Sequence, residues 1–280
     1  MSAPTAAQAM AAAAARLRAA GVPDPARDAR MLLAHAASVD AARVTLIAPE
    51  EIAPDIAERF EHLIALRAIR VPVSQLVGAR AFYGRDFRIS RDVLDPRPET
   101  ETLVEAALAV PFSRVLDLGI GSGCILVTLL AERPDASGIG ADLSEAACLQ
   151  ASANAVLHGV QARCQIIQSD WFDAVDGRFD LIVSNPPYLA AEEMRDVAPE
   201  LKQHEPEMAL TDGGDGLSAY RIIAHAAQGY LSANGQVMVE IGWQQGDAVI
   251  AIFKDAGWGR ITLAHDLDGR ARVVSAAMPA

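Results

Sequence analysis

Val115-Leu-Asp117-Leu-Gly119-Ile-Gly121-Ser-Gly123 is a short apolar strand that runs into a glycine loop, and helical periodicity follows from Gly123 to Ala131. That order lets a nucleoside-type ligand approach the backbone at a helix N-terminus, where amide hydrogens point outward. The spacing is G-x-G-x-G, not the G-x-G-x-x-G of dinucleotide pyrophosphate sites, and it points to S-adenosyl-L-methionine as the cofactor. The loop residues Gly119, Ile120, Gly121, Ser122 and Gly123, with Asp117 before them, are the first candidate cofactor contacts. Asp142 is the second signal. It ends the next strand, 21 residues past Gly121, where a carboxylate can accept from both ribose hydroxyls. Asp170 and Trp171 end the third strand, where Asp170 could accept from an adenine amine and Trp171 could pack on the ring. A turn aspartate beside a buried tryptophan is the plainer reading of that pair.

Outward from this stretch, strand-like segments at 114–118, 138–141, 165–168, 179–184 and 236–241 alternate with helical ones at 123–131, 144–158 and 217–231. Such alternation implies crossover helices over a mostly parallel sheet, a Rossmann-like α/β domain. From Ala6 to about Arg70 the chain is rich in Ala, Leu, Ile and Arg at helical spacing, which predicts a small N-terminal helical domain. Asp24 before Pro25 and the Pro54-Asp55 pair mark helix starts. Between Gln75 and Ile89 the pattern alternates, predicting a linking β-hairpin with its turn at Gly84 to Asp86. The two prolines of Leu94-Asp-Pro-Arg-Pro-Glu-Thr-Glu101 predict a stiff loop, and a helix is expected to begin near Glu99. Three regions result: helical at 1–74, hairpin linker at 75–95 and α/β domain at 96–280.

Phe179-Asp-Leu-Ile-Val-Ser184 leads into Asn185-Pro186-Pro187-Tyr188, at the carboxyl edge of the sheet where ligands of such folds sit. Two prolines fix the backbone there, and the arrangement suits a planar NH2 group. An amide or exocyclic nitrogen is a poor nucleophile because its lone pair is delocalised. Two acceptors holding its hydrogens can orient and enrich that lone pair. The Asn185 side-chain oxygen and the Pro186 carbonyl are the candidate acceptors, and Tyr188 would pack flat against the planar group.

Composition narrows the field. The 280 residues are 51% hydrophobic, enough for a buried core, and the formal charge of −12 repels a phosphate backbone. Cys124, Cys148 and Cys164 are odd in number and lack paired spacing, which argues against a disulfide framework or a thiolate zinc site and for a reducing, cytoplasmic setting. Arg16 and Arg18 interrupt the alanine-rich start where a secretory signal would be apolar, and no window reads as a membrane span. The histidines show no metal-ligand spacing, so no metal is expected. Asp212-Gly-Gly-Asp-Gly216 reads as a turn and helix cap, since it lacks the bidentate glutamate of a calcium loop.

Taken together, the hairpin Gln75-Leu-Val-Gly-Ala-Arg-Ala-Phe-Tyr83, Pro96-Arg-Pro-Glu-Thr-Glu101, the glycine loop, Ser169-Asp-Trp171, Ser184-Asn-Pro-Pro-Tyr188, Glu205-Pro206 and Gly213-Gly-Asp-Gly-Leu217 resemble the bacterial peptide chain release factor N5-glutamine methyltransferases, the PrmC/HemK family. The resemblance covers nearly the whole chain. It implies a class I methyltransferase domain and methyl transfer to the glutamine of the Gly-Gly-Gln loop of class I release factors. It also implies cofactor contacts at Gly119 to Gly123, Asp142, Trp171 and Asn185, and a glutamine held by Asn185, Pro186, Pro187 and Tyr188. The helical domain would dock the protein substrate, and a cytoplasmic monomer that contacts neither membrane nor nucleic acid is expected. Asp95 departs from the family, which has an apolar residue there; a packed carboxylate would need a partner such as Arg97. Ile120 replaces a common threonine. Two rivals remain: methylation of an adenine or guanine amine, which the charge opposes, and a non-catalytic cofactor-binding regulator, which the intact tetrapeptide opposes.

Overall fold

The computed structural model describes residues 4–278, so the outermost ends of the helical and α/β regions, 1–3 and 279–280, lie outside the described residues. The described chain forms two compact units, one of 4–79 with 198–204 and one of 80–197 with 205–278.

The first unit contains helices α1 (Ala6–Ala19), α2 (Pro25–Ala36), α3 (Val44–Ile47), α4 (Pro54–Ala68) and α5 (Val73–Val77). Thr5 and Gln8 close a reciprocal capping box on α1. Asp24 stands before α2 with Pro25 at its first position, although its side chain makes no cap hydrogen bond. Leu17, Leu32, Leu33, Phe60 and Ile64, spaced along α1, α2 and α4, are fully buried and form this unit's core. The segment 198–204 returns to the unit, and its helix Pro199–His204 is α9 in chain order. Arg67 holds it there: Nε donates to Asp28 at 2.7 Å and Nη2 to Glu200 at 3.0 Å, while Arg70 reaches the other Glu200 oxygen at 2.7 Å. Burial pulls the Glu200 pKa upward, but its own backbone amide, Arg70 and Arg67 outweigh that and hold it below the ordinary carboxylate range.

The second unit opens on a hairpin shorter than the sequence pattern predicts. Gln75-Leu-Val belongs to α5, which starts after Pro72 and is stopped by Gly78 in the left-handed region (φ 74°). The hairpin is β1 (Ala79–Phe82) and β2 (Arg85–Arg88), so Arg85 and Asp86 are strand residues and the turn is Tyr83-Gly84, both at positive φ (49° and 72°). That turn matches strand twist, and Glu101 accepts the Tyr83 amide at 2.8 Å. Phe82 and Phe87, buried edge to face at 6.0 Å, anchor the hairpin in this unit's core. A 3₁₀ turn at Pro98–Thr100 follows, then α6 (Glu101–Leu108), two residues later than expected.

The Rossmann-like reading stands. β3 (Arg114–Leu118), β4 (Ser137–Asp142), β5 (Cys164–Gln168), β6 (Phe179–Ser184) and β7 (Leu231–Glu240) form a parallel sheet, with α7 (Cys124–Glu132) and α8 (Glu145–Leu157) as crossovers. α10 (Ser218–Ala226) ends earlier than expected, because the chain turns through Ala227–Tyr230 and Leu231 already pairs with Phe179. Beyond α11 (Gly246–Asp255), β8 (Ile261–His265) and β9 (Ala271–Ala277) add an antiparallel edge that the alternating pattern did not reveal, giving the order β5-β4-β3-β6-β7-β9-β8. Chain order reverses between β3 and β6, and their carboxyl ends are level: Leu118 pairs with Ser184, whose hydroxyl donates to the Leu118 carbonyl at 2.7 Å. The glycine loop and Asn185 therefore leave the sheet side by side at its switch point.

Removing Arg67 leaves the buried carboxylate of Asp28 without its ion-pair partner, while Glu200 keeps Arg70. Arg67→Met is expected to lower the first unit's stability by about 3 kcal/mol in urea denaturation at neutral pH, whereas Arg16→Met, which breaks an exposed pair with Glu61, leaves the midpoint unchanged. Because the Glu200 pKa is depressed, its share is present above the unfolded value and is lost as pH falls through the folded one.

Candidate active site

A cavity of about 310 Å³ opens at the switch point. Gly119, Ile120, Gly121, Ser122, Asp142, Asp170, Trp171, Asn185 and Pro187 all line it. The other expected site residues stand back from the wall. Asp117 is fully buried under the loop, where its Oδ2 accepts the Leu126 amide at 3.2 Å, and burial pushes its pKa well up. Gly123 packs on α8, since a Cβ there would stand 3.2 Å from the Ala151 Cβ. Pro186 is buried and Tyr188 lies partly buried in the core beneath.

The loop is pinned from β4. Gly119 and Ile120 amides donate to the Ala141 carbonyl at 2.8 and 3.0 Å, and the Ile120 side chain packs down against Gly140. Asp142 accepts the Gly121 amide on Oδ2 and the Ser144 amide on Oδ1, both at 2.9 Å. The helix cap is Ser144 itself, which accepts from Ala147, so Asp142 remains a wall residue and not merely a cap. Burial raises its pKa against these amides. At Gly119 and Gly121, both at positive φ, a Cβ would meet no protein atom within 4 Å, so the bare backbone faces open space. Opposite, Ser169 accepts the Ala174 amide at 2.9 Å and donates to the Trp171 carbonyl at 3.0 Å, holding Trp171 at φ 47° on the wall beside exposed Asp170.

Asn185 carries the most informative atom. Its Nδ2 donates to the Thr100 hydroxyl at 3.2 Å, and its Oδ1 is buried with no hydrogen-bond partner. A buried amide oxygen without a donor is unfavourable by about 1–3 kcal/mol unless something supplies one. Around it, Gln245 Nε2 donates to the Tyr188 carbonyl at 2.8 Å, and burial lifts the Tyr188 hydroxyl to about 12, so the phenol stays neutral. Asp212 accepts three amides and the Ser218 hydroxyl, and its pKa falls to about 2: burial opposes the shift, and Ser218 with the Gly214, Ser218 and Gly216 amides prevails. The 212–216 run is thus a turn and cap, as its sequence indicates. Asp95 is buried, and Arg97 gives its Nη2 to both oxygens of buried Glu205 at 2.6 and 2.7 Å.

Thr100, Gln245 and Glu240 were not found from sequence. Thr100 lies in a segment read as a stiff loop leading into a helix and as a family motif, with no role given to its side chain. Glu240 closes the apolar run Val237-Met-Val, a charge on a core strand that could have flagged it. Among the described residues no cluster of His, Cys, Asp and Glu could hold a metal ion, and no helix is long and apolar enough to cross a membrane.

Residues 89–238 match the family described as "Methyltransferase small domain", and residues 8–78 match the "PrmC N-terminal domain". Among curated proteins, a "Release factor glutamine methyltransferase" of Cereibacter sphaeroides is 56% identical over 98% of this chain and 99% of its own length. A protein of the same description from Agrobacterium fabrum is 40% identical over 93% of each chain. Among solved structures, a methyltransferase from Pyrococcus furiosus (TM-score 0.55, 14% identity, 71% of this chain and 92% of that one) shares the fold. So does the hMettl16 catalytic domain in complex with the MAT2A 3′UTR hairpin 6 (TM-score 0.59, 16% identity, 78% and 82%).

Gly216 sets the depth of the tetrapeptide: it lies at φ 73°, and a Cβ there would fall 2.3 Å from the Tyr188 carbonyl oxygen. Gly159, at φ 70° with open space around it, serves as the control. Thermal denaturation should show Gly159→Ala destabilised by about 1 kcal/mol, the backbone strain alone. Gly216→Ala should lose at least about twice that, because the Tyr188 backbone must also move.

Proposed function

The chain belongs to the release factor glutamine methyltransferase (PrmC/HemK) family, and from that premise we propose that it methylates the side-chain amide nitrogen of the glutamine in the Gly-Gly-Gln loop of class I peptide chain release factors. S-adenosyl-L-methionine would supply an electrophilic methyl group carried on a sulfonium. The observation that carries the reading is the buried, unpartnered Oδ1 of Asn185 at the cavity, an acceptor that suits one hydrogen of a planar NH2 group.

The residues present fit that cofactor. Gly119 and Gly121 leave bare backbone where a side chain would fill the space, and Asp142, fixed by two amides, keeps acceptor capacity for ribose hydroxyls. Asp170 and Trp171 are suited to the adenine amine and ring. Asn185 Oδ1 orients the substrate amide so that its nitrogen lone pair is free for transfer, and Pro187 shapes the wall beside it. With Tyr188 held neutral near 12, the site offers no strong base on the tetrapeptide, and none is needed, since the nitrogen becomes acidic once methylated. The charge of −12 suits a basic protein partner better than a nucleic acid. A substrate of the translation machinery places the enzyme's work in the cytoplasm.

Two variants test the assignment of roles. With release factor as substrate, Asn185→Ala should lower kcat by roughly 100-fold or more, while calorimetric affinity for S-adenosylhomocysteine changes by less than about threefold. Asp142→Ala should do the reverse, weakening the nucleoside product by about 1–3 kcal/mol. Equal loss of product affinity in both variants would contradict the division of labour. Methylation of ribosomal RNA in place of the factor would move the function to the nucleic-acid amine.

A further inference from the structure

The cavity wall is one-sided in charge. Asp92, Asp95, Asp142, Asp170 and Asp212 line it, and among the described residues that do so Arg97 is the single arginine or lysine. Arg97 stands half-buried in the loop before α6, with its backbone fixed on both sides: Arg80 Nε donates to the Pro96 carbonyl at 3.3 Å, and the Thr100 amide donates to the Arg97 carbonyl at 3.0 Å. The Arg97 side chain is 29% exposed, whereas that of Glu205, which takes Nη2 on both oxygens, is 2% exposed. The ion pair therefore orients the guanidinium without using it up. A guanidinium has five hydrogens to give, and those on Nε and Nη1 go to no other described residue.

S-adenosyl-L-methionine carries a single anionic group, the α-carboxylate of its methionyl end. We propose that Arg97, anchored by Glu205, is the residue that binds this carboxylate. The order of strands along the sheet edge directs the methionyl end there. With adenine suited to Asp170 and Trp171 after β5, and ribose to Asp142 after β4, the remainder of the cofactor runs toward β3 and β6. At that end the loop carrying Arg97 meets the tetrapeptide, since Thr100, in the same loop, accepts from Asn185 Nδ2 at 3.2 Å. The inference rests on the reading of the cavity as the cofactor site.

Electrostatics make the contact necessary. A carboxylate that enters a wall of carboxylates meets like charge, and it loses water without compensation unless a cation receives it. Two of the wall's hydroxyls are already committed, Ser169 to the Trp171 carbonyl and Ser218 to Asp212. The acidic wall by itself favours a ligand stripped of its carboxylate, because such a ligand keeps only the positive ammonium. A preference for the carboxylate therefore has to come from Arg97, and a charge-assisted hydrogen bond from a guanidinium is strong enough to reverse the bias.

Calorimetry tests this with two nucleosides that differ by one group, S-adenosylhomocysteine and its decarboxylated form, which keeps the ammonium. Wild type should bind the first roughly 10- to 100-fold tighter than the second. Arg97→Gln alone leaves buried Glu205 without its partner, so the comparison is made in Glu205→Gln, whose amide oxygen still accepts from Arg97. Glu205→Gln should keep the wild-type preference to within about threefold, and adding Arg97→Gln should bring the two nucleosides to within about threefold of each other. Affinity for the decarboxylated nucleoside should agree between the two variants to within about threefold, a readout that a general loss of structure would move. Equal binding of both nucleosides by wild type, or a preference that survives Arg97→Gln, would overturn the assignment. If wild type binds neither nucleoside, the cofactor reading itself fails, and the carboxylate contact falls with it.

Discussion

The site depends on the constraint that a buried polar group must find a partner. In Asn185 one end of the amide is tied to Thr100 and the other is buried without a donor, at the point where chain order in the sheet reverses. Everything around this residue holds it in that condition. Ser184 fastens β6 to β3 just before it, two prolines stiffen the backbone after it, and the Tyr188 carbonyl is clamped by Gln245 and crowded by Gly216. An unmet acceptor in so fixed a frame is suited to a substrate's hydrogen, because little need reorganise when the substrate arrives.

The same economy governs the cofactor side. Asp142 draws both carboxylate oxygens onto backbone amides, one from the glycine loop and one from the start of α8, so a single side chain sets the loop and faces the cavity. Ile120 packs into the core through the gap left by Gly140, which anchors the loop from below while its backbone stays on the wall. The first unit is held by a different device, the buried pairing of Arg67 with Asp28 and Glu200, which gathers segment 198–204 to the N-terminal helices.

Much of this was legible in the sequence because it rests on local chemistry. The glycine loop, Asp142 and Asn185-Pro-Pro-Tyr188 each announce a backbone requirement at a strand end, and the alternation of strand and helix indicates a mostly parallel sheet. What escaped is of two kinds, a helix boundary and non-local pairing. Gln75-Leu-Val reads as strand by alternation, yet Pro72 and Gly78 bound it as a helix. β8 and β9 form an antiparallel edge whose pairing no alternation of strand and helix encodes. Asp117, expected at the cofactor, is fully buried, with its carboxyl turned to the Leu126 amide of α7. Thr100 comes from a distant part of the chain, and only folding brings it to Asn185.

The most direct measurement is peptide-mapping mass spectrometry of unmethylated release factor incubated with this protein and S-adenosyl-L-methionine. One methyl group on the Gly-Gly-Gln glutamine, absent when that glutamine is replaced by alanine, is the predicted result. An unmodified factor, or methyl groups on other residues that survive the replacement, would contradict the account.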